Sequence, residues 1–262
     1  MALIAVDLDG TLLNSSGRLS EGNAEALRNA AERGHLVVPA TARWYQAACQ
    51  PFNRIGLTVP AVAAAGADVR LADGGTIVEA ALPTAFTRFV AELCDGPGRV
   101  ATLTTPSWAY RRADELPPWA ANAPEWLRPV THLRDADLSR LLCVLAEFPS
   151  GDTAPRELDR WAGQITLHHA VSFRGDVMLT MTAAGVDKGT GLEALRSALA
   201  FERRDVVAIG DSEVDLPMFP VAGRSVAMAN AEPAVKERAT LVTASADDDG
   251  VARAFEELGL LG

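Results

Sequence analysis

The chain has 262 residues, 48% of them hydrophobic and 22% charged, which is enough apolar material for one large or two modest domains. Its 24 Lys and Arg face 34 Asp and Glu, a formal net charge of -10 without any basic cluster, and this argues against nucleic acid or an anionic membrane as a partner. A phosphate site in so acidic a chain must work locally, through a metal and a few placed cations.

The apolar run Ala2 to Val6 is too short for a signal-peptide core, and no run approaches membrane-spanning length. Cys49, Cys94 and Cys143 are widely spaced and form no CxxC or Cys/His ligand pattern, so they read as reduced packing residues. The expectation is a soluble cytoplasmic protein with no evident obligate protein partner.

Leu3-Ile4-Ala5-Val6 reads as a strand buried on both faces of a parallel sheet. A helix follows from the N-cap Ser20 through Ala24, Leu27 and Ala31, and Gly34 suits its C′ position. Leu36-Val37-Val38 is a second buried strand, ending at Thr41, and completes a βαβ unit. Ala61 to Ala64 is a weak third strand. Val69-Arg70-Leu71 and Thr76-Ile77-Val78 flank Asp73-Gly74-Gly75 as a hairpin.

From Pro83 to Val177 the pattern no longer repeats βαβ, and most of the prolines fall there. This stretch is expected to be a second domain, 83–177, inserted into a core of 1–82 and 178–262. The α/β pattern then resumes. Leu192, Leu195 and Leu199 share one face of a helix opening at Lys188, and Val206-Val207-Ala208-Ile209 is a buried strand running into Gly210-Asp211. Val251, Phe255 and Leu258 line a last helix closed by Gly259.

Asp7 and Asp9 follow the first strand, and i, i+2 residues on a strand share a face. Two carboxylates aimed at one point suit a nucleophile with an acid/base partner, or a joint hold on a cation. By itself such a pair is more often a polar turn. An EF-hand is excluded, because its sixth and twelfth positions would be Leu12 and Arg18 in place of Gly and Glu. The company of the pair favours a site: Thr41, Lys188 and Asp211 each fall where a buried strand ends or a helix begins. That is the edge at which open α/β sheets bind ligands. A hydroxyl and an ammonium fit phosphoryl oxygens, and Asp211 with Asp215 suits an oxygen-rich Mg²⁺ site.

Asp7-Leu8-Asp9-Gly10-Thr11-Leu12 resembles the first motif of the haloacid dehalogenase-like superfamily. Ala40-Thr41-Ala42-Arg43, Gly185-Val186-Asp187-Lys188-Gly189 and Gly210-Asp211-Ser212-Glu213-Val214-Asp215 resemble the other three, in order. The spacing is similar to the Cof-type sugar phosphatase branch, as are Val226 to Ala231 and Asp249-Gly250-Val251. The resemblance implies a Rossmann-like, doubly wound parallel-sheet core with an inserted α/β cap that selects substrate. It also implies a Mg²⁺-dependent phosphoric monoester hydrolase acting on a small phosphorylated metabolite, a sugar phosphate in this branch.

By the same resemblance Asp7 is the nucleophile and Asp9 the acid/base. Thr41, Ala42, Arg43 and Lys188 bind the phosphoryl group. The metal is held by Asp7, the Asp9 carbonyl and Asp211, with Asp215 in support. Three positions depart from the branch: Val214 stands for Asn, Ala42 for Gly, and Ala65 for Asn.

A dehalogenase would not need Asp9. A phosphosugar mutase uses the same Asp pair, and a non-catalytic phosphate sensor on this fold is the reading of a different class. Other signals are weaker. His168 and His169 face opposite ways on a strand, Asp247-Asp248-Asp249 reads as helix capping, and no P-loop pattern exists around Gly185 to Gly191. Trp108, Tyr110, Arg111 and Arg112 form an aromatic-plus-arginine cluster suited to a sugar or a second anion, or equally to ordinary packing.

Overall fold

A computed structural model of the protein describes residues 1–116, 126–171 and 175–261. β1 (Leu3–Val6) is four apolar residues, all buried, as a strand covered on both faces requires. α1 (Glu21–Glu32) starts where the Ser20 side chain accepts a bond from the Asn23 amide. It ends ahead of Gly34, whose φ of 82° turns the chain into β2 (Leu36–Pro39). After α2 (Tyr45–Asn53) come β3 (Ala61–Ala63), β4 (Asp68–Arg70) and β5 (Thr76–Glu79), a small sheet in that order. The Asp73 carboxylate accepts from the Gly75 amide and closes the turn between β4 and β5.

The chain continues into α3 (Thr84–Cys94), β6 (Val100–Thr104), β7 (Ala109–Arg112) and β8 (Leu127–Val130). β9 (Cys143–Phe148), β10 (Ile165–Val171) and β11 (Val177–Ala183) complete a six-stranded sheet in the order β10-β11-β9-β6-β7-β8. Phe86, Val90, Leu103, Val144, Phe148 and Met181 fill its core, with Phe86 edge-on to Trp161 at 5.2 Å between ring centres.

Last come α4 (Lys188–Ala198), β12 (Val206–Gly210), β13 (Arg224–Ala227), α5 (Pro233–Arg238), β14 (Leu241–Val242) and α6 (Gly250–Glu257). The principal sheet is parallel, in the order β14-β13-β12-β1-β2, and is packed on α1 and α6 among other elements. From β1 the chain winds outward to β2, and from β12 it winds the other way to β13 and β14. β1 and β12 are therefore adjacent strands at a topological switch point, where α/β sheets open a crevice.

The chain divides into two compact units, one of Met1–Val78 with Asp187–Gly262, the other of Glu79–Val186. The inserted segment is longer than the expected 83–177. β11 pairs with β10 and β9 from Val177 onward, and the Leu82 amide bonds the Leu141 carbonyl at 2.7 Å, so both flanks belong to the inserted unit. The three cysteines are buried and unpaired. Among the described residues no helix is long and apolar enough to cross a membrane.

Candidate active site

β1 and β12 deliver Asp7 and Asp211 side by side. The Asp7 amide extends the strand pairing by bonding the Ile209 carbonyl at 3.0 Å. Gly10 then turns the chain with φ 83°, and a Cβ there would meet Asp211 Oδ2 at 2.6 Å, so this turn needs glycine twice over. The loop is fixed from the far side by Asn230, whose amide donates to the Gly10 carbonyl at 2.8 Å and accepts from the Ala246 amide.

α4 supplies the cation. Its N-cap Asp187 accepts from the Thr190 amide in a capping box, which places Lys188 on the first turn. The Lys188 ammonium is 2% exposed and donates to Asp7 Oδ1 and Asp215 Oδ1, each at 2.6 Å. Asp215 Oδ2 accepts from the Asp211 amide, the Ser212 amide and the Ser212 hydroxyl, each at 3.0 Å, and this carboxylate is fully buried. Asp211 Oδ1 accepts from the Thr11 hydroxyl at 2.7 Å. Among the described residues, Asp7 Oδ2 accepts no hydrogen bond.

Oxygens of Asp7, Asp211 and Asp215 lie within 4.8 Å of one another. Three carboxylates against one ammonium leave the cluster short of positive charge. Burial and the neighbouring carboxylates push Asp7 well above the usual range, and burial with Asp215 pushes Asp211 to about 6. Burial alone would lower Lys188, but Asp215 and Asp7 hold it above its ordinary value. A set of hard oxygen donors with excess negative charge fits a divalent cation.

Asp9 stands apart from this group. Its two oxygens accept from Arg43 Nε, at 2.8 Å, and from Arg43 Nη2, at the exposed rim. Thr41, buried after β2, accepts from the Arg43 amide through its hydroxyl at 3.2 Å. Ala64 and Ala65, with φ of 49° and 54°, donate their amides to the carbonyls of Arg43 and Thr41 and so hold this loop. Val214 is half-buried and brings no polar group to the turn that carries Asp215.

Asp7, Lys188, Asp211 and Asp215 are thus brought together, while Asp9 and Arg43 pair with each other. Sequence reasoning gave no role to Thr11, Ser212 or Asn230. All three lay inside the quoted motifs, but nothing in their spacing says which carboxylate or carbonyl each would meet.

The model of the haloacid dehalogenase-like hydrolases matches residues 4–255. The chain belongs to that family. Among its relatives in this family is a 5-amino-6-(5-phospho-D-ribitylamino)uracil phosphatase of Bacillus subtilis, 27% identical over 98% of both chains. Another is a phosphoglycolate phosphatase of Halorubrum lacusprofundi, 31% identical over 97% of this chain and 96% of the relative. A solved haloacid dehalogenase-like hydrolase from B. subtilis superposes with a TM-score of 0.84 at 25% identity, covering 98% of this chain and all of that one.

Elsewhere, the weaker sequence signals have structural partners. Arg128 lies 3.3 Å above the Trp108 ring, and Arg112 donates to the Asp95 carbonyl and to Glu115. His168 and His169 are neighbours on β10 and so point to opposite faces. Asp247 accepts from the amide and hydroxyl of Ser15, and Asp249 precedes α6 without a side-chain cap bond.

Proposed function

We propose that this hydrolase is a Mg²⁺-dependent phosphatase of small organic phosphate monoesters, sugar phosphates among them, working through a phosphorylated Asp7. The observation that carries this reading is the asymmetry of the Asp7 carboxylate. Lys188 holds one oxygen, and the other carries no hydrogen bond from a described residue, at the switch point of the sheet. That is the disposition of an oriented nucleophile.

Asp7 Oδ2 attacks phosphorus in line, and the bond from phosphorus to the alcohol oxygen breaks. Asp9, released from Arg43 and protonated from solvent, gives that proton to the departing oxygen. It then takes a proton from water, which attacks phosphorus and breaks the bond to Asp7, so that phosphate leaves and Asp9 is protonated again. Lys188 uses two of its three N–H groups on Asp7 and Asp215, and the third serves a phosphoryl oxygen together with the Thr41 hydroxyl and the Ala42–Arg43 backbone. Asp7, the Asp9 carbonyl and Asp211 would hold the metal. Asp215 would support the metal from behind these ligands while it fixes Lys188 and the Asp211 backbone. Bound Mg²⁺ supplies charge neutralisation between the anionic nucleophile and the anionic ester.

Asp7→Asn tests the reading with p-nitrophenyl phosphate. The expected result is loss of hydrolysis by about three orders of magnitude or more, with no hydroxylamine-sensitive phosphoprotein formed. Turnover near the wild-type rate would remove Asp7 as nucleophile. Phosphate release across sugar phosphates and other metabolite monoesters then ranks the leaving groups.

A further inference from the structure

A cavity of about 280 Å³ opens beside the Asp9–Arg43 pair, within the unit that carries the carboxylates. Arg43 lines it together with Arg18, from the loop before α1, and Arg54, at the end of α2. Glu21 is the acidic residue of the lining and is paired with Arg28. Leu13, Pro51 and Ile55 supply apolar wall. Among the described residues, neither Arg18 nor Arg54 has a carboxylate partner.

Three arginines lining one small cavity are out of character for a chain of net charge -10. The position of Arg54 at a helix C-terminus accounts for one cation there, since the dipole favours it. It does not account for Arg18, which reaches the same cavity from a different segment. Like charges gathered around a concave space repel one another unless an anion joins them, and planar guanidinium groups match carboxylate and phosphate oxygens. The volume suits one small anionic group with a short stem.

We infer that this cavity receives a second anionic group of the substrate, so that the preferred esters are phosphate monoesters bearing a distal carboxylate or phosphate. The inference rests on the phosphatase reading and refines its substrate class. Arg43 links the two ends of such a molecule. It lines the cavity and also grips Asp9, so an anion seated among the arginines draws the guanidinium from Asp9 and frees that carboxylate for the leaving oxygen.

The test is a series of ω-carboxyalkyl phosphates of increasing length, each compared with the uncharged alkyl phosphate of equal length, on wild type and on Arg18→Gln/Arg54→Gln. Both substituted residues are exposed, so folding is spared. Wild type is expected to favour the carboxylated ester at one length. The double variant is expected to lose about tenfold in kcat/KM for it, with the alkyl phosphates unchanged. An equal effect on both series, or none, overturns the inference while leaving the phosphatase reading intact. Failure of wild type to hydrolyse any ester overturns that reading instead. Free propionate added to alkyl phosphate is the remaining arm. Stimulation that the double variant abolishes would make the cavity a site for a separate anion and overturn the substrate assignment.

Discussion

Ala65 shows how much the loop around the site depends on single residues. It sits in left-handed backbone at φ 54°, directly after Ala64 at φ 49°, and both are buried. An L side chain in that region costs roughly 1–2 kcal/mol per residue, and the cost persists because the two amides bond the carbonyls of Thr41 and Arg43. The related branch commonly has Asn in this place, a residue that tolerates the conformation, so the sequence departure marks stored strain. Ala65→Gly is expected to raise unfolding free energy by about 0.5 kcal/mol, the relief being partly offset by the freer unfolded chain. Urea denaturation with an unchanged m-value checks it, and a loss of stability would show that the strain is absent. At the same scale, Thr11 and Asn230 hold Asp211 and the Gly10 turn through one hydrogen bond each. Their partners could not be read from sequence, because a hydroxyl or amide in a loop has no periodicity.

Among the elements, α4 matters most, because it carries Lys188 to Asp7. Its approach is set by glycines. Gly66 has φ 95°, and a Cβ there would lie 2.0 Å from the Asp187 carbonyl oxygen. A Cβ on Gly191 would lie 2.7 Å from the Gly66 Cα. The helix start and the turn after β3 are therefore in backbone contact. Gly66→Ala must push α4 outward as well as adopt a strained φ, and a loss of about 2–3 kcal/mol is expected. Activity should fall further than stability does, since Lys188 moves with the helix. Thermal melts and kcat measured at a temperature where the variant is folded separate the two effects. Wild-type kcat in a folded variant would mean that Lys188 tolerates the shift. The helix itself was legible: leucines at 192, 195 and 199 on one face after Lys188 are local signals, while its Asp187 cap emerged only in the structure. Its contact with the turn at Gly66 was not.

For the whole molecule, the carboxylate cluster links folding to metal. Asp7, Asp211 and Asp215 repel one another in the folded protein and are dispersed when it unfolds. A cation bound by the folded state alone stabilises it by mass action. Mg²⁺ is therefore expected to raise the melting temperature in a concentration-dependent way. Asp211→Asn, which keeps an acceptor for Thr11 but removes one charge, should raise the metal-free melting temperature and abolish the Mg²⁺ response. A variant that still responds to Mg²⁺ like wild type would remove Asp211 from the metal site.

The principal core strands, the cap of the first helix and the carboxylates that follow the strands at 3–6 and 206–209 were written in local pattern. Four apolar residues before Asp7, four before Gly210 and Ser20 as a helix cap needed only period, burial and hydrogen-bonding chemistry to be recognised. Other features were decided by tertiary structure: that Asp9 turns to Arg43, that Lys188 spans 181 residues to reach Asp7, that Arg18 and Arg54 share a cavity, and that β11 belongs to the inserted sheet. Local propensity acts over a few residues of chain. The partner a charge or strand edge finds depends on which distant segments the folded core brings within a few ångströms.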